Sequence, residues 1–265
     1  MAHPRPDALP IDAHVHFWAV ARGDYGWLDA AAVAPIRRDF APADYPGAGR
    51  VIAVQAAPTE AETAYLLGLD DPRILGVVGW TDLTAPGDLS HPRLVGLRPM
   101  LQDIADTDWL LTAPAPGVWE RVTARGLVLD ALVTTRHLPM LARFADAHPD
   151  LPIVIDHGAK PQPGFGADWR EGMAALARRP NVACKLSGLM TELPDRAEVT
   201  RAIHALVALF GAERLIWGSD WPVLTLAAQY ADWHALTAAA LADLTPDARA
   251  AIMGGNAARL YGVGP

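Results

Sequence analysis

Short apolar runs, each closed by polar residues or glycine, recur eight times along the 265-residue chain, at 10–16, 50–56, 74–80, 94–99, 127–132, 152–157, 182–187 and 214–220. Runs of this length, rich in Val, Ile and Leu, read as buried strands. Alanine-rich stretches with helical spacing separate most of them, at 59–69, 113–125, 136–148, 168–179 and 196–210. After the eighth run, residues 226–243 read as a helix, and a further helix starts with Thr245 at its N-cap and Pro246 at its first position. That helix ends near Gly254 and Gly255, with a last turn around 256–260. Strand–helix alternation implies an α/β fold with a parallel sheet, and eight units in this length imply a closed (β/α)8 TIM barrel. A doubly wound open sheet is the alternative, but no G-x-G-x-x-G follows the first strand. No linker, repeat or low-complexity segment divides the chain, so residues 1–265 read as a single domain.

One interval breaks the rhythm. Only residues 81–93, with two prolines and a glycine, join the third and fourth strands. A parallel crossover takes about a dozen residues or more, mostly helical. The third helix is therefore expected to be reduced or missing, leaving a thin flank where a homo-oligomer contact could form.

Composition narrows the class further. The formal net charge of −8 and the lack of any Lys/Arg cluster argue against a nucleic-acid partner. The single cysteine, Cys184, excludes an intramolecular disulfide and a thiolate metal cage, and its apolar surroundings read as those of an inert, packed thiol. No apolar stretch is long enough to span a bilayer, and the polar, proline-rich first ten residues are unlike a signal peptide. A cytoplasmic protein without a membrane partner is expected.

In a parallel barrel the first and eighth strands are neighbours and functional groups gather at the strand C-termini. The strand ends carry His14 and His16, Gln55, Trp80 with Asp82, Arg98, Asp130, His157 with Lys160, Lys185 with Ser187, and Asp220 followed by Trp221. Side chains alternate along a strand, so His14 and His16 share one face and, with Asp220 alongside, converge on one water or one metal ion. The same alternation sends Asp156 to the face opposite His157, toward backbone or a helix. Arg98 requires a carboxylate, from Asp130, Asp82 or a ligand. Lys185 and Ser187 have one parity, and an internal ion pair with an aspartate is expected for the lysine. Trp18, Trp27, Trp80, Trp109 and Trp221 lie in or just after strand ends, suited either to the walls of a sugar-sized pocket or to packing.

Five segments occur in order: Ile11-Asp-Ala-His-Val-His-Phe-Trp18, Gly96-Leu-Arg-Pro-Met-Leu-Gln-Asp103, Asp156-His-Gly-Ala-Lys-Pro161, Cys184-Lys-Leu-Ser-Gly-Leu189 and Ile216-Trp-Gly-Ser-Asp-Trp-Pro222. Together they resemble the amidohydrolase superfamily, in particular its lactonases of sugar-acid lactones and of 2-pyrone-4,6-dicarboxylate. The resemblance runs from about residue 9 to Gly262 and implies a distorted (β/α)8 barrel that hydrolyses a cyclic ester. It implies Asp220 as general base on water, and His14, His16 and His157 as the groups that hold and polarise the carbonyl. Substrate contacts are expected from Arg98, Trp18, Trp80, Lys160 and Trp221. His14, His16 and Asp220 form an acceptable three-ligand set for one Zn²⁺ with an open fourth position. Members of this branch also work without metal, so both states stand; no organic cofactor is expected. Binuclear relatives add a carboxylated lysine on strand four or five, and neither strand has a lysine here.

The expected function is opening of a sugar-acid lactone, fucono-, rhamnono- or galactono-lactone-like. A dicarboxylate pyrone is the alternative substrate, but needs two cationic anchors, with Lys160 or Lys185 joining Arg98. Related metal-dependent decarboxylases typically add a strand-five histidine, where this chain has Asp130, with His137 beyond the strand. A serine esterase would need a G-x-S-x-G elbow, which is absent. A non-enzymatic sugar-acid binder would bind tightly without turnover and tolerate loss of Asp220.

Overall fold

The computed structural model describes residues 10–264. Its eight strands are β1 (Ile11–Val15), β2 (Arg50–Val54), β3 (Ile74–Gly79), β4 (Leu94–Leu97), β5 (Val128–Ala131), β6 (Ile153–Ile155), β7 (Val182–Leu186) and β8 (Leu215–Trp217). They pair in parallel in sequence order. Each lies within its expected apolar run, and nearly every strand residue is buried. Burial on both faces explains why the runs are continuous rather than alternating. The β1 and β8 ends meet through a parallel bridge between Val15 and Trp221, with His16 N–H donating to the Trp221 carbonyl and Asp220 N–H to the His14 carbonyl, both at 2.8 Å. The eight strands thereby form a nearly closed TIM barrel.

The helices are α1 (Glu60–Gly68), α2 (Trp109–Thr112), α3 (Val118–Ala124), α4 (Leu138–Ala147), α5 (Ala167–Ala177), α6 (Leu189–Glu192), α7 (Arg196–Phe210), α8 (Tyr230–Ala240), α9 (Pro246–Ala250) and α10 (Asn256–Leu260). Side-chain caps start three of them: Thr59 accepts from Glu62 N–H, Asp195 from Glu198 N–H and Thr245 from Ala248 N–H. The main core, with Leu129, Leu141, Phe144, Leu176 and Leu206, lies between barrel and helices. A smaller cluster joins Val128, Val154, Ala183 and Ile216 to Ala257 and Tyr261. These strand residues stand two positions before Asp130, Asp156, Lys185 and Gly218, so one strand face turns from apolar to charged on the way to the mouth.

No helix separates β3 from β4. The flank is nonetheless filled: Leu83 and Leu89 are buried under the irregular connection. Arg121 donates to the Gly87 carbonyl, and Arg125 to those of Leu89 and Ser90. This corrects the expectation of a thin flank, because α3 supplies the donors that a third helix would have provided itself. Residues 16–49, for which the pattern predicts no element, fold into four 3₁₀ turns, at Val20–Arg22, Gly26–Asp29, Ala31–Ile36 and Pro42–Asp44. Among the described residues, no helix is long and apolar enough to cross a membrane.

Candidate active site

Asp12, two residues before His14, binds the two ends of the barrel together. Its buried carboxylate accepts from His14 N–H (3.2 Å), Ser219 N–H (2.7 Å) and the Tyr45 hydroxyl (2.9 Å). Burial pushes this carboxyl up to about 6, against the opposing hydrogen bonds from Ser219, Tyr45 and His14. The register of β1 shifts between Asp12 and Val15, where the strand leans onto β8. His14 and His16 thereby face Asp220 across some two hundred residues of sequence.

Three imidazoles converge on one carboxylate oxygen. Asp220 Oδ1 lies 3.3 Å from His16 Nε2, 3.6 Å from His14 Nε2 and 4.0 Å from His157 Nε2. The His16 Nδ1 donates to the Val54 carbonyl at 2.8 Å, which turns Nε2 toward the aspartate. Asp220 (φ 61°) and His157 (φ 53°) both lie beyond their strands in the left-handed region, where a non-glycine residue costs about 1–3 kcal/mol. Such strain accompanies the placing of functional groups. The His157 Nδ1 meets Ser187 Oγ at 2.9 Å. Gly188 makes room for that ring: a Cβ there would fall 2.5 Å from His157 Nδ1.

Electrostatics assign the charges. Burial would raise the Asp220 carboxyl, but His157, the hydrogen bond with His16 and the nearby His14 outweigh it and hold the group well below the usual carboxylate range. His14 is pushed well below its ordinary value by burial and by the Lys185 ammonium. His157 is lowered by burial, against the opposing pull of Asp220 and Asp156. At neutral pH the site thus presents an ionised carboxylate to two uncharged imidazoles.

Asp156 requires a correction. Alternation places it opposite His157, yet it is fully buried, with Oδ1 3.1 Å from Lys185 Nζ and 3.5 Å from His14 Nδ1, and Oδ2 3.5 Å from Arg98 Nη1. Asp156 continues the inward face of Val154, the face that also carries Asp130 and Lys185 on their strands, and it is the left-handed turn at His157, beyond the end of β6 at Ile155, that swings the imidazole to the same side. Lys185 has the expected internal ion pair, with Asp130 at 2.5 Å, and Tyr261 OH donates to the other Asp130 oxygen at 2.7 Å. Burial raises the Asp130 carboxyl to about 6 despite the opposing lysine.

The expected substrate contacts divide. Arg98, 3% exposed, pairs with Asp156 through Nη1 and with the Gln55 carbonyl through Nη2 instead of Asp130 or Asp82, because Lys185 already holds Asp130 and Asp82 is engaged by Thr84. Asp82 organises its own turn, accepting from Thr84. Trp18 is wholly buried: its indole N–H donates to the Arg38 carbonyl, and its ring packs on Tyr25, Trp27 and Phe40 behind His16. Trp221 packs on Phe17, Phe40 and Tyr45. These two tryptophans therefore buttress the site rather than form its open walls, as aromatic burial draws both rings into one cluster. Trp80 and Lys160 keep exposed surface on the C-terminal side, with Lys160 held by Glu192 at 3.0 Å. A cleft of about 790 Å³, lined among others by Gln162, Met190, Glu192, Leu193, Leu226 and Ala227, adjoins Lys160 through its partner Glu192.

His14, His157 and Asp220 each offer a ligand atom, all within 4.8 Å of one another. This set differs from the expected one by exchanging His16, whose two nitrogens are engaged by Val54 and Asp220, for His157. The His14 Nε2 is buried without a hydrogen-bond partner, and two imidazoles with one carboxylate suit zinc, so the residues fit one such ion. Sequence reasoning missed Asp12, although its parity with His14 was a usable signal, and Tyr261, for which nothing in the local pattern was.

The amidohydrolase family model matches residues 11–263. An L-fucono-1,5-lactonase of Burkholderia ambifaria is 44% identical, over 95% of this chain and 94% of that protein. A second L-fucono-1,5-lactonase, from Burkholderia multivorans, is 38% identical over 96% of each. Among solved structures, an amidohydrolase from Burkholderia multivorans with bound zinc superposes with a TM-score of 0.90 at 37% identity, covering 97% of this chain and all of that one. With its barrel, its histidine-ringed aspartate and a match along nearly its whole length, the chain belongs to the amidohydrolase family.

Proposed function

We propose that this protein is a lactonase that opens sugar-acid lactones of the L-fucono-1,5-lactone class by attack of water. The observation that carries the reading is the convergence of three histidine Nε2 atoms on Asp220 Oδ1, in a chain that aligns with L-fucono-1,5-lactonases over 95% of its length. Ester hydrolysis needs a base beside the attacking water and donors around the developing oxyanion, and these groups supply both. Asp220 takes a proton from water as the water oxygen bonds to the lactone carbonyl carbon. The carbonyl oxygen becomes an oxyanion facing the imidazoles of His14, His16 and His157. Collapse breaks the bond to the ring oxygen, and Asp220 returns its proton there, leaving an open-chain hydroxy acid. One carboxylate thus serves as base and then as acid. His14, His157 and Asp220 would hold a zinc ion, which when bound would polarise a carbonyl or acidify a water.

Trp80 and Lys160, the latter beside the cleft through Glu192, are the proposed sugar contacts. The structure favours a neutral sugar ring over a dicarboxylate pyrone. Arg98 and Lys185 are buried in ion pairs with Asp156 and Asp130, and Lys160 is paired with Glu192, so none of these three cations stands free to anchor a carboxylate. Decarboxylation loses support because β5 presents Asp130, bound by Lys185 and Tyr261, in place of a further histidine ligand. The net charge of −8 speaks against a nucleic-acid partner.

Proton release followed with a pH indicator, over fucono-, rhamnono- and galactono-lactones and 2-pyrone-4,6-dicarboxylate, tests the proposal with and without prior chelation. Enzymatic opening of a sugar lactone is expected. Silence on every sugar lactone in zinc-supplemented protein would overturn the reading, and turnover confined to the pyrone would reassign the substrate.

A further inference from the structure

Lys185 is one of only two lysines in the chain, and its side chain is wholly buried. Its Nζ hydrogen-bonds Asp130 Oδ2 at 2.5 Å and His14 Nδ1 at 3.1 Å, and lies 3.1 Å from Asp156 Oδ1 in an ion pair without a hydrogen bond. An ammonium carries three hydrogens and no lone pair, so contact with a ring nitrogen requires the lone pair on that nitrogen. Neutral His14 must then carry its own proton on Nε2. The competing arrangement, Nδ1–H donating to Asp156, has a longer separation of 3.5 Å and would set a second hydrogen against the lysine. Nε2 is buried, has no hydrogen-bond partner, and faces Asp220. Two residues on, His16 is oriented in the opposite sense, with its Nδ1 donating to the Val54 carbonyl.

We propose that Lys185 is a positioning residue that fixes the tautomer of His14. By donating to Nδ1 it keeps the imidazole proton on Nε2, aims that proton at the reacting carbonyl, and weakens the hold of Nε2 on a metal ion. The catalytic part of this inference rests on the lactonase reading; the tautomer does not. Zinc at His14, His157 and Asp220 needs the Nε2 lone pair, and Nδ1 takes up the displaced proton only by giving up its contact with Lys185, so zinc binds there at a cost. Without the lysine, Nδ1–H can turn to Asp156, giving the carboxylate–histidine–metal arrangement that strengthens binding. The ammonium thereby trades metal affinity for an oxyanion donor.

Histidine ¹⁵N NMR of the chelated protein, with the His14 signals assigned by their loss in His14→Asn, reads the tautomer directly. The expected result is an unprotonated Nδ1 and a protonated Nε2. Lys185→Met would strip two buried carboxylates of their ammonium, leaving Asp130 with no cation, so the charge-balanced pair Lys185→Met with Asp130→Asn is the working variant. In it the tautomer should reverse, and zinc affinity against a chromophoric chelator should rise about tenfold or more, the scale of a metal site's outer-shell partners. Metal-free kcat should fall about tenfold or more with KM little changed, as for an interaction made in the transition state. A protonated Nδ1 in the unaltered protein, or a folded double variant with unchanged tautomer, would overturn the proposal. Asp156→Asn provides a test that does not depend on removing the lysine: Lys185 stays, so the tautomer should stay, and a reversal there would assign the orienting role to Asp156 instead. The reversal in the double variant, seen in a protein that opens no lactone, would refute the lactonase reading while upholding the control of His14 by Lys185.

Discussion

Replacing Asp220 by asparagine separates chemistry from folding at this site. Asparagine keeps the shape of the side chain and, like aspartate, tolerates the φ of 61° found here. Its amide can still hydrogen-bond His16, the nearest imidazole, whose Nε2 lies 3.3 Å from Asp220 Oδ1. It cannot take a proton from water. A lost general base costs about two to four orders of magnitude, equal to about 2.7–5.4 kcal/mol of barrier at 1.36 kcal/mol per decade. Asp220→Ala should lose at least as much activity, and in addition puts an unassisted Cβ into the left-handed region at about 1–2 kcal/mol. For a domain of this size that cost lowers the thermal midpoint by about 2–8 °C relative to the asparagine variant. Proton-release kinetics and thermal unfolding by circular dichroism measure the two effects on the same samples. An Asp220→Asn enzyme with more than about a tenth of the original kcat would refute Asp220 as the base. Equal midpoints for the two variants would refute the backbone argument.

Gly188→Ala should both destabilise the protein and lower kcat, because its Cβ meets His157 Nδ1 at 2.5 Å; Gly117→Ala, at φ 75° with open space around it, should affect stability alone. Zinc measured by elemental analysis after loading and dialysis should be lost in His14→Asn and His157→Asn but retained in His16→Asn, following the 4.8 Å ligand set. Glu62 accepts from Ala56 and Ala57 N–H, and burial raises its carboxyl to about 7 from an ordinary value near 4.5. Between those values the folded protein binds the extra proton, so the contribution of Glu62 to stability is present below about 4.5 and is lost as pH rises through 7, by on the order of 3 kcal/mol. The stability advantage of the unaltered protein over Glu62→Gln in denaturant titrations should therefore be smaller at pH 8 than at pH 5, and a constant difference would show that Glu62 is ionised at both.

The sequence alone determined the architecture, because strands buried on both faces leave continuous apolar runs and the helices between them leave an alanine-rich period. It also brought His14, His16 and Asp220 together, since a closed parallel barrel makes its first and last strands neighbours. Both inferences use rules that act along one element or between successive ones. Tertiary structure decided what those rules do not reach. Alternation holds only while a strand lasts, so the presence of His157 on the same side as Asp156 depended on β6 stopping at Ile155 and on the left-handed turn that follows. The pairing of Arg98 with Asp156, and of Lys185 with Asp130, Asp156 and His14, was chosen among several opposite charges by distances across the barrel. Trp18 and Trp221 became buttresses because residues 16–49 fold back over the end of β1, in 3₁₀ turns that carry no strong periodic signal. Burial then set the protonation of the site, through the desolvation of groups whose positions in the sequence say nothing of how close they lie in space.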